Sequence, residues 1–258
     1  MFLGDKGEAS KYRNVRYNYD ILVDNEKAIL RKLSEKLGFY DIVFDTQLKD
    51  IEISYDTQTN LLSNTGLIIR KKIDNKRSYF TLIRISDLRT NQQDRERKEF
   101  LGECEPKDQP SDFPVQIGDK INEIFNNLFT VNLVDIIKHT RPYLVIEVRG
   151  NRYKIISGTG YNAELCFETL HVRNMHNGKK AKIRNVSVAF TLLPEYEHER
   201  NEILGAIDKY CKELVPLNRN HFEVAEVAVR TRVPVENDKD KKKKGKQDRR
   251  EEREEEGE

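Results

Sequence analysis

The 258-residue sequence predicts an α+β fold: a closed or nearly closed eight-stranded antiparallel β-barrel with helices on its surface. Eight short segments alternate apolar and polar residues with a period of two. Three others repeat apolar residues at helical spacing, and long helical intervals between strands are few.

In chain order, residues 15–23 form the first strand, and a helix follows from an Asp24 N-cap to a Gly38 stop, with Ile29, Leu30, Leu33 and Leu37 on one face. Strands come next at residues 51–56, 67–73, 79–85 and 95–101, each a run of alternating character. A second amphipathic helix spans 119–128 on Ile121, Ile124, Phe125 and Leu128. Residues 143–149, 163–172 and 183–192 supply the last three strands, while residues 152–157 and 222–230 add strands or extend neighbours. The third helix runs over 195–214, with Ile203, Leu204, Ile207, Cys211 and Leu214 on its apolar stripe. No internal repeat is present.

Composition bounds the function. Residues 1–235 form one domain and residues 236–258 a disordered charged tail, a lysine block followed by an arginine and glutamate block. The tail is expected to be a solvated extension, with docking to a charged partner as its functional alternative. No apolar run approaches the roughly 18 residues that span a membrane, and the first ten residues lack the apolar stretch of a signal peptide, so a cytoplasmic protein without a membrane partner is expected. Cys104, Cys166 and Cys211 are widely spaced and outside any C-x-x-C arrangement, hence ordinary thiols. A net charge of +2 does not nominate nucleic acid, so any basic site must be local.

The strands carry charge beside a full apolar set. In residues 66–73, Arg70 and Lys72 share a face with Ile68, while Leu67, Ile69, Lys71 and Ile73 make the other. If the second face meets the outer helices, Arg70 and Lys72 point inward. Parity likewise groups Arg84 with Phe80 and Leu82, Arg95 and Arg97 with Glu99, and Glu147 with Arg149. A barrel lined by unpaired cations must hold something anionic or wet, and guanidinium groups favour polyphosphate. The competing reading is an open sheet whose Arg and Glu residues pair across strands.

Residues 53–72, ISYDTQTNLLSNTGLIIRKK, resemble the signature of the CYTH family, the triphosphate tunnel metalloenzymes, through Tyr55, Asp56, Thr57, Leu61, Leu62, Gly66, Arg70 and Lys72. The strand ending at Arg84 resembles the family's lysine-bearing strand, and Arg97-x-Glu99 its Arg-x-Glu-x-Glu strand. Residues 141–149 and 163–174 are similar to the paired strands of polyphosphate-polymerase (VTC-type) relatives, with Glu147, Arg149, Phe167 and Glu168 as counterparts. The resemblance implies a tunnel that binds a nucleoside or other organic triphosphate, or polyphosphate. In active members it also implies Mg2+-assisted phosphoanhydride hydrolysis. Arg70, Lys72, Arg84, Arg97, Arg149 and Arg16 would then hold phosphates, and Glu99 and Glu168 would be the catalytic and metal-binding carboxylates.

Two departures matter. The first strand reads Arg16-x-Asn18-x-Asp20 and the late strand Ser187-x-Ala189 where the family has metal carboxylates, so the Mg2+ site is degenerate and Arg16 would repel a cation and welcome phosphate. A catalytically silent polyanion-binding module is the alternative reading. His171 and His176 match no zinc spacing, His139 is an ordinary surface residue, and Ser157-Gly158-Thr159-Gly160 is a turn with no helix behind it. The aromatics lack the pattern of a single-strand binder, leaving a 5′-triphosphate end as the one nucleic-acid ligand in view.

Overall fold

The computed structural model describes residues 13–22, 25–65, 67–74, 77–84, 98–125, 132–192, 194–217, 219 and 221–230. Its elements are β1 (Arg13–Ile21), α1 (Glu26–Lys36), β2 (Tyr40–Asp56), α2 (Leu61–Asn64), β3 (Leu67–Ile73), β4 (Ser78–Arg84), β5 (Lys98–Cys104), α3 (Pro114–Ile124), α4 (Leu133–Lys138), β6 (Arg141–Ser157), β7 (Asn162–Asn174), β8 (Lys180–Leu192), α5 (Glu197–Tyr210), β9 (Leu214–Leu217) and α6 (His221–Arg230). The strands form one antiparallel sheet in the order β5-β4-β3-β2-β6-β7-β8-β1-β9.

The α+β class stands, but among the described residues the sheet has nine strands and no pairing joins its edges, β5 and β9. Closure of the expected barrel is therefore not seen. The extra length lies in β2, whose first half, Tyr40 to Asp50, the sequence hides. A bulge falls between Phe44 and Thr46, where the β2–β6 register shifts. It moves the apolar positions from even (Tyr40, Ile42) to odd (Ile53, Tyr55), so no single alternation runs through the strand.

Helices cover both faces. One face, called outer here, packs against α1 and α5 through Tyr19, Leu165, Val188 and Phe190, and against α2, α3 and α4 through Tyr55, Ile69, Phe80 and Leu82. The inner face packs against α6, where Phe222, Ala225 and Val229 meet Leu144, Ile146, Val148, Leu170 and Val172. Residues 222–230 are thus a helix and not an added strand; the spacing of those three buried residues is helical. The third helix stops at Tyr210, and Leu214 already belongs to β9.

Asn25, not Asp24, caps α1: its side chain accepts from the Ala28 N–H at 3.1 Å, and Asp24 lies outside the described residues. Residues 95–97 and the tail, 236–258, lie outside them too. No described helix is long and apolar enough to cross a membrane.

Candidate functional site

The inner face carries a polar cluster at the β2–β3 ladder. Ser54 pairs with Arg70 and Glu52 with Lys72, so these four side chains emerge on one face. Arg70 is only 3% exposed, and its Nη1 lies 3.0 Å from Oε2 of Glu52. Its Nε and Nη2 have no hydrogen-bond partner among the described residues. Lys72 Nζ sits 2.8 Å from Oδ2 of Asp50. Burial pulls the Lys72 ammonium down, but Glu52 and Asp50 outweigh it and hold the group above its ordinary range.

A second cluster surrounds Glu168. Asn185 Nδ2 donates to Oε2 at 2.9 Å and Ser187 Oγ donates to the same oxygen at 3.2 Å, while Arg16 Nη1 stands 3.7 Å from Oε1. Cys166 is buried beside them, and burial together with Glu168 pushes its thiol up to about 12. Arg152 donates to Asp45 Oδ2 at 2.7 Å and faces Glu164 at 3.7 Å, and Lys154 reaches Asp45 Oδ1 at 3.1 Å. The sequence offered a signal for Arg152 and Lys154, since in residues 152–157 they alternate against Tyr153 and Ile155.

Of the predicted residues, Arg70, Lys72, Arg16 and Glu168 share the inner face. Arg149 does not: it is exposed on the outer face, where its Nη2 bonds Glu147 at 3.2 Å. The parity was right, but the side was reversed because α6 puts the apolar set of β6 on the inner face. Glu99 pairs with Leu82, a residue of the outer-face core, so the ladder sets it on the opposite face from Arg70 and Glu168. Arg84 pairs with Leu67, also an outer-face position, and its side chain is outside the described set. Arg97 lies outside the described residues altogether. The cross-strand pairing set against the tunnel reading is thus present, with each of Arg70, Lys72, Arg16 and Arg152 opposed by a carboxylate.

The most specific part of the sequence motif is architecture. Asp56 is 3% exposed and accepts from the backbone N–H groups of Thr57 (2.7 Å), Leu62 (2.9 Å) and Ser63 (3.0 Å). Thr57 Oγ1 accepts from Leu61 N–H at 2.9 Å. Together they fix the turn from β2 into α2 and satisfy donors that the helix start leaves unpaired. Tyr55 packs edge-on to Phe80 with ring centroids 6.4 Å apart.

The expected metal pair fits poorly. Glu99 and Glu168 are on opposite faces, and the Glu168 carboxylate is already ringed by an amide, a hydroxyl and a guanidinium. Among the described residues, no three His, Cys, Asp or Glu side chains cluster so as to hold a metal ion. A cavity of about 580 Å³ runs along the β2–β6 ladder, lined by residues 47–51 and 147–151. It touches Asp50, the partner of Lys72, on the inner face and Lys49 and Arg149 on the outer.

No family model and no curated protein matches the chain. Among solved structures it aligns over 87% of its length with 99% of a Hippeastrum protein described as a putative adenylyl cyclase with a dominant triphosphatase activity, at 12% identity and a TM-score of 0.50. A putative adenylate cyclase from Vibrio parahaemolyticus aligns over 83% of this chain and 98% of its own, at 12% identity and a TM-score of 0.41. An inorganic triphosphatase aligns over 85% and 99%, at 8% identity and a TM-score of 0.28. At 12% identity the Hippeastrum alignment shows a shared fold, and the resemblance to the CYTH group that residues 53–72 carry is borne out at that level.

Proposed function

We propose that this chain binds a triphosphate-bearing anion or inorganic polyphosphate on its inner face, with Arg70 as the side chain that grips it. The observation that carries the reading is the buried Arg70 guanidinium, one edge on Glu52 and two N–H-bearing nitrogens, Nε and Nη2, without a partner among the described residues. Buried donors left unpaired cost about 1–3 kcal/mol each, and a phosphate group offers acceptor oxygens in bidentate geometry. Lys72 on the next inner-face position of β3 adds a second cation within reach of the same chain of phosphates. The fold shared with a protein described as a triphosphatase supports this ligand class.

The geometry favours binding without a resident metal, because the Glu168 carboxylate is engaged by donors. Titration calorimetry with tripolyphosphate, with and without Mg2+, tests the reading. Binding that is independent of Mg2+, unaccompanied by phosphate release and lost in Arg70→Gln/Glu52→Gln, is expected; the double substitution avoids stranding a buried carboxylate. Absence of binding under both conditions would overturn it.

Hydrolysis is a second reading, favoured by Asp50 and Glu52 standing two residues apart on the inner face beside Lys72 and Arg70. Mg2+-dependent phosphate release, abolished in Glu168→Gln while binding persists, would select it.

A further inference from the structure

Between the α1/α5 packing and the α2/α3/α4 packing, the outer face of the sheet carries a stretch of exposed basic side chains. Three rows of paired residues cross it: Lys49, Arg149, Thr169 and Arg184; then Ile51, Glu147, His171 and Lys182; then Ile53, Val145, Arg173 and Lys180. Lys49, Arg149, Arg173, Lys180, Lys182 and Arg184 are all exposed. Glu147, bonded to Arg149, is the one carboxylate in these rows. The charges therefore spread in two dimensions over positions about 4.8 Å apart across strands and about 6.6 Å along them, with Lys49 beside Arg149, Arg173 beside Lys180, and Arg184, Lys182 and Lys180 running along β8.

We propose that this outer face binds the phosphate backbone of duplex nucleic acid without reading its sequence. A net charge of +2 for the whole chain makes six basic side chains and one carboxylate within these three rows a local feature. An array, unlike a line, of cations suits the two phosphate rows that flank a duplex groove. The three rows hold no Phe, Tyr or Trp, so contact falls on backbone phosphates and not on stacked bases. Residues 239–250 carry eight basic and two acidic residues, a second phosphate-seeking segment in the same chain. This inference stands apart from the inner-face reading, since it uses the opposite side of the sheet.

The test is fluorescence anisotropy of the full-length chain with a labelled mixed-sequence RNA duplex of about 20 base pairs, between about 50 and 200 mM salt. Affinity should fall steeply with salt. Lys180→Gln/Lys182→Gln should weaken binding roughly tenfold at the low-salt end and lower the log–log salt slope by about 2, the share of two phosphate contacts. Circular dichroism checks that the variant is folded, and tripolyphosphate binding should be unchanged.

An unaltered slope in the variant would overturn the proposal. So would duplex binding lost on deletion of residues 236–258 yet indifferent to the two substitutions, or tighter binding to anionic lipid vesicles than to the duplex. Duplex binding without tripolyphosphate binding would sink the inner-face reading and leave this one standing.

Discussion

Arg70 and Glu52 meet on a diagonal of the β2–β3 ladder, Nη1 3.0 Å from Oε2, with 3% and 8% of their surfaces exposed. A buried pair of this kind stabilises little over an apolar pair, but removing one member strands the other's charge. Glu52→Gln is expected to cost about 3 kcal/mol in urea denaturation. It also removes the intramolecular competitor for the guanidinium, so tripolyphosphate should raise the variant's Tm by more than it raises the wild type's. Equal shifts would mean that Arg70 does not touch the anion.

Asp56 supports a different quantity. Its carboxylate accepts from three backbone N–H groups, two of them fully buried, at the entry to α2. Asp56→Ala leaves these donors unpaired, at about 1–3 kcal/mol each, and a total loss of roughly 3 kcal/mol is expected by urea denaturation at neutral pH. Tripolyphosphate affinity of the folded fraction should be unchanged, because both carboxylate oxygens of Asp56 are engaged by the backbone of the turn. A loss of affinity with intact stability would reassign it to the site.

Asp45 ties stability to acid. The Lys154 hydrogen bond, with Arg152 adding to it against the desolvation of the carboxyl, holds its pKa below the ordinary 3.8. A lowered folded-state value means that the contribution is fully present above the unfolded-state value and is lost as pH falls through the folded one. The stability difference between wild type and Asp45→Asn should be largest near pH 6, up to roughly 1 kcal/mol, and shrink as pH falls below the ordinary carboxyl value of 3.8. Urea midpoints measured across that range check it; a constant difference would show that the ion pairs do not contribute.

Where one apolar set meets one layer of helices, alternation alone located the side chains: Leu67 and Ile69 lie under α2–α4, and Arg70 and Lys72 come out opposite them. The same reasoning reversed Arg149, because a second helix layer, α6, claims Leu144, Ile146 and Val148 on the inner face, and period-two patterning cannot say which layer an apolar set faces. The bulge in β2 concealed that strand's first half by switching parity within it. Phe222, Ala225 and Val229 have helical spacing in a segment rich in valine, and residue preference masked the period. The ion-pair partners Glu52, Asp50 and Asp45 were invisible because cross-strand register is not written in either strand alone.

Two glycines make a paired test of how tightly the inner face is built. Gly150 pairs with Glu168, and a Cβ there would strike the Phe167 carbonyl group, 2.9 Å from its carbon, and lie 3.1 Å from Cα of Glu168. All of these are backbone atoms, so no flexible side chain can yield. Gly205, exposed on α5, has nothing within 4 Å of such a Cβ. Gly205→Ala should therefore raise stability by up to about 1 kcal/mol through helix propensity. Gly150→Ala should lower it by roughly 3 kcal/mol as β6 and β7 are forced apart beside the Glu168 cluster. The separation should also register at Cys166, whose thiol is 2% exposed and raised to about 12, and which is thus protected from alkylation in the native wild type. Mass spectrometry after brief maleimide treatment at pH 7 should find Cys166 modified faster in Gly150→Ala than in Gly205→Ala, and equal rates would mean that the strands absorb the methyl group without parting.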